Sequence, residues 1–177
     1  MKLVILSDRF YEKYNNCPEL LEKKDRPYYC VALEVDGRTF AIPLRHHIKH
    51  PFCFHTVGNA GLDFSKAVTI TDPSYIADGI PWIDSREWGI IKKSEDQIFF
   101  SFRKYYRQYF RALMHKDNPR SAMILKYSTL QYFIMPETEP DEWDIRMLEE
   151  AKSDPECSIF TKEEEIDWNT PGNEAKK

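Results

Sequence analysis

The sequence predicts an α+β fold, with a compact core of antiparallel strands and helices packed against it. In the first half of the chain, short runs of β-branched and aromatic residues are separated by turn residues, most clearly at Asp36-Gly37. In the second half, apolar residues recur at helical spacing and predict one long helix at about 94–116. A chain of 177 residues can bury such a core without disulfides or a metal.

The N-terminal part is predicted to begin with a strand and to continue with a hairpin. Residues 2–7 form a short apolar run, and Asp8 is expected to cap the helical turn that follows. Residues 28–35 and 38–44 are predicted to pair through a type I′ turn at Asp36-Gly37, because Gly tolerates a positive φ angle. Pro43 is expected to end the ladder, since it has no N–H to donate.

The middle of the chain is predicted to add two strands before the helices begin. Residues 62–71, with Lys66 inside, and residues 88–92 are both rich in strand-forming residues. Ser94 is the expected cap of the long helix, and a shorter helix is predicted at 121–133. The apolar stripe of the long helix is expected to face the core and consists of Ile98, Phe102, Tyr105, Tyr106, Tyr109, Phe110 and Leu113.

Charge divides the chain into two parts. Residues 1–136 hold 20 Lys/Arg against 15 Asp/Glu, whereas residues 137–177 hold 5 against 14. We therefore predict a domain at 1–136 and an acidic C-terminal extension at 137–177, helical over 141–152 and disordered beyond. A basic body is compatible with nucleic acid, and the acidic extension either keeps the protein soluble or competes for the basic surface.

The sequence predicts a cytoplasmic protein. No apolar run approaches the length of a membrane span. The apolar start resembles a signal peptide, but it is too short and Asp8-Arg9 follows at once. The four cysteines show no CxxC spacing, so reduced thiols are expected.

Histidines and cations are concentrated directly after the predicted hairpin. Four of the five histidines fall within ten residues, 46–55. Imidazoles exchange protons near neutral pH, and neighbouring Arg and Lys side chains attract phosphate. Together they could cleave RNA through its own 2′-hydroxyl without a metal cofactor, because that reaction needs a base, an acid and a cation. The candidate catalytic residues are Arg45, His46, His47, Lys49 and His50.

Three other interpretations of the same residues remain open. A zinc site could use His46 and His50, four residues apart, with Cys53 and His55, although Pro51 opposes a helix and the spacing matches no familiar zinc framework. The stretch could also be a polar loop of no special function. Finally, the basic and aromatic face of the long helix could bind RNA without cleaving it.

Several motifs of residues 26–71 together resemble the ToxN/AbiQ family, the protein toxins of type III toxin–antitoxin systems. The motifs are Leu-Glu-Val-Asp-Gly-Arg-Thr-Phe-Ala-Ile-Pro-Leu at 33–44, Gly-Leu-Asp-Phe at 61–64 and Lys-Ala-Val-Thr-Ile at 66–70. The Arg-His-His-Ile segment at 45–48 is most similar to the TenpIN branch.

The resemblance implies a β core similar to that of the Kid/MazF toxins and a metal-independent endoribonuclease activity. Such an enzyme cleaves single-stranded cellular or phage RNA and leaves a 2′,3′-cyclic phosphate. The implied partner is a small RNA antitoxin of repeated pseudoknots, which inhibits the toxin in a closed protein–RNA complex. The implied biological role is growth arrest and phage defence by abortive infection, with no DNA or membrane partner.

The resemblance also implies roles for individual residues. Where the better-known branch has Thr/Ser, Ser, Pro and Lys, this chain has Arg45, His46, His47 and Ile48, with Lys49 one place later. Proton transfer would then fall to His46, with His47 or His50 as its partner, and phosphate binding to Arg45. A basic residue before the hairpin and an N-terminal aromatic that stacks on a base also belong to the family site. The predicted RNA-binding residues are Arg26, Tyr11, Lys66, Arg103 and Arg107.

Overall fold

The computed structural model confirms the predicted α+β class and describes residues 1–20, 29–134 and 142–153. Within these ranges the chain forms one antiparallel sheet and five α-helices. The strands are β1 Lys2–Ile5, β2 Tyr29–Val35, β3 Arg38–Arg45, β4 Cys53–His55, β5 Gly61–Asp63 and β6 Val68–Thr69. The α-helices are α1 Asp8–Lys13, α2 Ser85–Lys93, α3 Glu95–Met114, α4 Pro119–Tyr127 and α5 Glu142–Ser153. Three short 3-10 helices lie at Phe64–Lys66, Pro73–Tyr75 and Thr129–Tyr132.

The predicted hairpin is confirmed in β2 and β3. Asp36 and Gly37 have φ angles of 51° and 87°, so both central residues of the turn are left-handed, as a type I′ turn requires. The β2–β3 ladder ends at the pair Cys30↔Pro43, as predicted. Strand β3 nevertheless continues to Arg45, because its last two residues pair with β5 instead. Arg45 therefore still belongs to the sheet.

The sheet is open rather than a barrel. Its order is β1-β2-β3-β5-β4, with β6 paired to β3. Strands β1 and β4 lie at opposite ends of this order, and among the described strands nothing joins them. The barrel that the resemblance to Kid/MazF toxins implies is therefore not confirmed.

The long strand predicted at 62–71 is wrong. Strand β5 stops at Asp63, whose carboxylate Oδ1 accepts a hydrogen bond of 3.0 Å from the Ser65 N–H and so caps a 3-10 turn. Such local side-chain bonds compete with strand pairing. Lys66 consequently lies in the 3-10 helix, and pairing resumes only at β6. Near the N-terminus, Ser7 rather than Asp8 is the cap of α1.

The strand predicted at 88–92 is also wrong, since these residues lie in α2. Asp84 caps α2 by accepting a hydrogen bond of 2.9 Å from the Arg86 N–H. The long helix is confirmed as α3, although Ser94 makes no side-chain capping bond to it. The helix predicted at 121–133 begins earlier, where Asn118 caps α4, and is interrupted at Ser128.

The sheet carries an apolar core on each side. The larger core packs the stripe of α3 against β2, β3 and β5, and Ile98, Phe102 and Tyr106 are fully buried in it. The smaller core packs Phe10 of α1 against β1 and β2. Helix α5 confirms the predicted helix at 141–152, and its Met147 is fully buried in the larger core. Residues 154–177 lie outside the described residues. Of the helices described, none is both long and apolar enough to cross a membrane.

Candidate functional site

The histidine loop, residues 46–52, connects β3 to β4 and is held at both ends by the sheet. Arg45 pairs with Gly61, and Cys53 pairs with Asp63. Between these ends the Ile48 N–H donates to the Asn59 carbonyl at 3.0 Å, and the Ile48 side chain is buried. The conformation of the loop is therefore restrained at both ends and at Ile48.

The loop exposes three of the five predicted catalytic residues. His46, His47 and Lys49 are all on the surface. His47 has a φ angle of 59°, in the left-handed region that residues other than Gly adopt at an energetic cost. Backbone strain of this kind concentrates at functional sites, and here it occurs at one of two adjacent exposed histidines.

Beneath the loop lies a fully buried carboxylate, Asp63, with four donor contacts. Its Oδ2 accepts from Arg45 Nη1 at 2.6 Å and lies 3.4 Å from His50 Nε2. Its Oδ1 accepts from the Ser65 N–H at 3.0 Å and from Ser65 Oγ at 2.6 Å. These contacts join the end of β3, the end of the loop and the 3-10 helix after β5.

Burial would raise the pKa of Asp63, but its partners more than reverse that effect. The contacts from His50, Arg45 and Ser65 lower the pKa to about 2. The carboxylate is therefore ionised at neutral pH and forms a permanent counter-charge to Arg45.

Arg45 is held at one nitrogen and open at the others. Its side chain is 33% exposed, and only Nη1 donates to Asp63. Among the described residues, Nε and Nη2 of Arg45 donate to no protein atom. A guanidinium presents its N–H groups as a rigid planar fork that matches two oxygens of a phosphate. Arg45 is thus arranged to bind an oxyanion at the edge of the histidine loop.

His50, predicted as catalytic, faces inward. Its side chain is only 9% exposed, and Nε2 lies 3.5 Å from Ser65 Oγ as well as near Asp63. A serine–histidine–aspartate triad would place its serine and its carboxylate on opposite ring nitrogens. Here both approach the same nitrogen, so the geometry does not make Ser65 a nucleophile.

Cys53 and His55 lie side by side on β4. The two side chains are 3.3 Å apart, between Sγ and Nε2, and the thiol also donates to the His50 carbonyl at 3.3 Å. Burial, with a contribution from the Asp63 charge, raises the pKa of Cys53 to about 11, so the thiol is neutral. Within the described ranges, no three His, Cys, Asp or Glu side chains are grouped as a metal site would require.

Three predicted RNA-binding cations are engaged in protein contacts. Lys66 is 13% exposed, and its ammonium donates to Glu19 Oε2 at 2.7 Å and to the Tyr127 carbonyl at 2.9 Å. The Nη2 atoms of Arg103 and Arg107 donate to the same Glu150 oxygen of α5, at 2.9 and 2.7 Å. In this structure, all three side chains connect parts of the fold that are distant in sequence.

The other two predicted RNA-binding residues are Arg26 and Tyr11. Arg26 lies outside the described residues. Tyr11 lines a cavity of about 20 Å³ together with Cys30 and Lys66. Its hydroxyl is buried without a hydrogen-bond partner among the described residues, and burial raises its pKa. The Tyr11 hydroxyl is therefore turned into the protein rather than toward a ligand.

Sequence reasoning missed Asp63 and Ser65 as members of the site. One signal was present: a lone acidic residue stands in the apolar segment Gly61-Leu62-Asp63-Phe64, with serine two residues later. An isolated acid in such a run predicts a buried, paired carboxylate, and the Asp-x-Ser spacing predicts a capped turn. The pairing of Asp63 with Arg45 could not be predicted from local sequence, because it depends on the contact between β3 and β5.

No protein-family model, curated protein or solved structure matches this chain. The resemblance to ToxN/AbiQ toxins therefore depends on the motifs of residues 26–71 alone. The site itself combines two exposed imidazoles with a guanidinium, next to them in sequence, that donates to a buried carboxylate.

Proposed function

We propose that this protein is a metal-independent endoribonuclease toxin of the ToxN/AbiQ type, acting on single-stranded RNA. The observation that carries the proposal is the position of Arg45, fixed by Asp63 at the start of a loop that exposes His46 and His47. These groups supply an anion-binding fork and two proton-transfer groups on one constrained segment. Phosphodiester transesterification requires that combination.

The proposed reaction uses the 2′-hydroxyl of the substrate as its nucleophile. One imidazole removes the 2′-hydroxyl proton, the oxygen attacks phosphorus, and the 5′-oxygen leaves with a proton from the second imidazole. The product is a 2′,3′-cyclic phosphate. We assign His46 and the also exposed His47 to these proton transfers, because the His50 side chain is nearly inaccessible. Arg45 stabilises the charge on the non-bridging oxygens, and exposed Lys49 adds positive potential.

The His46→Ala variant tests this assignment. We expect its cleavage rate to fall by about 10²–10⁴-fold, since general acid–base catalysis contributes that much. The matched control is His115→Ala, which removes an exposed imidazole at the end of α3, outside the loop. The assay follows mixed-sequence single-stranded RNA in EDTA and identifies the product ends.

Each alternative has its own outcome in that assay. Cleavage that EDTA abolishes would indicate a metal-dependent nuclease, and RNA retention without cleavage would indicate a binding module. Full activity of His46→Ala would remove His46 from the mechanism, while equal losses in both variants would point to a general effect on the protein.

The resemblance extends the proposal to partners and biology. We propose that an RNA antitoxin of repeated pseudoknots binds the face that carries the histidine loop, and that release of the toxin in the cytoplasm arrests growth during phage infection. Short tandem repeats in the DNA just upstream of the gene would support this. Failure of that repeat RNA to block cleavage by the purified protein would contradict it.

A further inference from the structure

Two aspartates in this chain cap short 3-10 helices in the same way. Asp63 Oδ1 accepts from the N–H of the serine two residues on at 3.0 Å, and Asp72 Oδ1 does so at 2.8 Å. Each also has an arginine beside Oδ2: Arg45 at 2.6 Å for Asp63 and Arg9 at 3.6 Å for Asp72. Asp72 therefore serves as an internal reference: it shows the surroundings of an aspartate that only caps a 3-10 helix.

The two aspartates differ in burial and in the number of donors. The Asp72 side chain is 38% exposed, whereas that of Asp63 is fully buried. Asp63 also receives the hydroxyl of Ser65 and has His50 Nε2 nearby. Removing a carboxylate from water is costly, and a neutral Asn or Ser can cap a turn without that cost. Capping therefore does not explain why a charge is buried at position 63.

The buried charge has a specific effect on Arg45. Because a guanidinium is planar, fixing Nη1 against a carboxylate that cannot move restricts the orientation of the whole group. A long arginine side chain otherwise loses many rotamers when it binds a ligand. Nε and Nη2 donate to none of the described residues and the side chain is one-third exposed, so the fork is already ordered before an anion arrives.

We propose that Asp63 is a positioning residue of the nuclease: it holds Arg45 in the orientation that receives the scissile phosphate. The inference rests on the proposed function and names a residue that does not itself contact RNA. Ser65 supports it by fixing the other carboxylate oxygen. His50, next to Oδ2, ties the same carboxylate to the end of the histidine loop.

The decisive variant is Asp63→Asn, with Asp72→Asn as its matched control. Both remove a capping charge beside an arginine, but only the first alters the support of Arg45. We expect kcat/KM for mixed-sequence single-stranded RNA in EDTA to fall by about 10–100-fold in Asp63→Asn, as for other residues that orient a site. Asp72→Asn should stay within about twofold of the unchanged protein, as a distant surface change does.

A double variant separates positioning from a loss of general stability. If Asp63 acts through Arg45, then Arg45→Ala with Asp63→Asn should cleave no more slowly than Arg45→Ala alone. A merely structural Asp63 would instead lower kcat/KM by a similar factor in both backgrounds. That second result, or an Asp63→Asn protein that folds and cleaves normally, would overturn the proposal.

A milder variant covers the case in which Asp63→Asn does not fold. Ser65→Ala keeps the charge and removes the 2.6 Å hydrogen bond to Oδ1, together with the 3.5 Å contact between Ser65 Oγ and His50 Nε2. Ser74→Ala is its control beside Asp72. We expect roughly a threefold or larger loss of kcat/KM in Ser65→Ala alone, because the carboxylate loses one of its anchors. An unchanged rate would overturn the proposal. If the unchanged protein does not cleave RNA, the nuclease itself is refuted, and this inference with it.

Discussion

Burial and neighbouring polar groups have opposite effects on the pKa of Asp63, and their balance decides whether its carboxylate is charged. A carboxylate without access to water favours its neutral form, yet Arg45, His50 and Ser65 keep this one ionised. The consequence is that the counter-charge of Arg45 is constant over the whole range in which imidazoles titrate. Asp63 therefore adds no pH dependence to any cleavage near neutral pH.

The lowered pKa of Asp63 predicts how stability responds to acid. Its folded pKa of about 2 lies below the ordinary value of 3.8, so ionised Asp63 stabilises the native state above the ordinary pKa. That contribution, of about 2 kcal/mol, should be lost as the pH falls from about 4 to 2. The Asp63→Asn variant has no carboxylate at this position, so its stability does not contain this pH-dependent contribution. The stability difference between the two proteins, measured by denaturant unfolding, should shrink across this window, and a difference independent of pH would contradict the assignment.

Local sequence predicted some side-chain environments and could not predict others. The loop that carries His46, His47 and Lys49 follows from its place just after a hairpin, but the exposure of both imidazoles does not. In contrast, Lys66 meets Glu19 and Tyr127, 47 and 61 residues away in sequence, and Arg103 meets Glu150, 47 residues away. A basic residue is assigned to the surface by default, and only the tertiary fold reveals a partner of this kind.

At the scale of elements, the histidine loop depends on how closely β4 approaches β5. A Cβ atom added at Gly61 would lie 2.0 Å from the Phe54 carbonyl oxygen and 2.9 Å from His55 Cα. No side chain fits there without separating the two strands. Because Gly61 also pairs with Arg45, the same displacement would reach the end of β3 that carries Arg45.

Gly61→Ala should therefore damage both stability and the site. We expect a loss of about 3 kcal/mol or more in the free energy of unfolding, together with loss of RNA cleavage, because backbone and not a flexible side chain has to move.

Gly89→Ala is the control, since Gly89 lies inside α2 and an added Cβ meets nothing within 4 Å. That variant should gain about 0.5–1 kcal/mol from helix propensity. Denaturant unfolding distinguishes the two, and a neutral Gly61→Ala would show that β4 does not lie where the structure places it.

Elements were predicted correctly where one local signal acted alone, and were missed where two local signals competed. The hairpin turn depends on two adjacent residues, Asp36 and Gly37, whose φ preferences decide it. Residues 88–92 carry strand formers, but the cap at Asp84 and the burial of Ile91 on one face make them helical. The break after Asp63 was missed for the same reason, since a local side-chain bond to the Ser65 N–H overrides a run of strand-forming residues.

At the scale of the whole molecule, the acidic extension is in contact with the basic body. Met147 of α5 is buried in the larger core, and Glu150 bridges Arg103 and Arg107 of α3. Arg103 also pairs with Asp36 in the hairpin turn at 3.0 Å, so α3 joins the sheet to α5. The charge asymmetry of the sequence left open whether the acidic segment competes for the basic surface or only keeps the protein soluble. It could not say that one glutamate would meet two of the arginines assigned to RNA.

The Glu150→Gln variant tests whether that contact masks an RNA-binding face. It removes one carboxylate charge from both arginines, so we expect a loss of about 1 kcal/mol in stability, because the pairs are partly buried. RNA affinity at low salt should rise severalfold and the gain should disappear at high salt, since phosphate contacts are screened.

Glu149→Gln is the control: it changes the net charge equally, but Glu149 is exposed. Fluorescence anisotropy with a labelled single-stranded RNA measures both variants. Equal affinity gains would assign the effect to overall charge, and no gain in either would leave Arg103 and Arg107 as purely structural residues of α3.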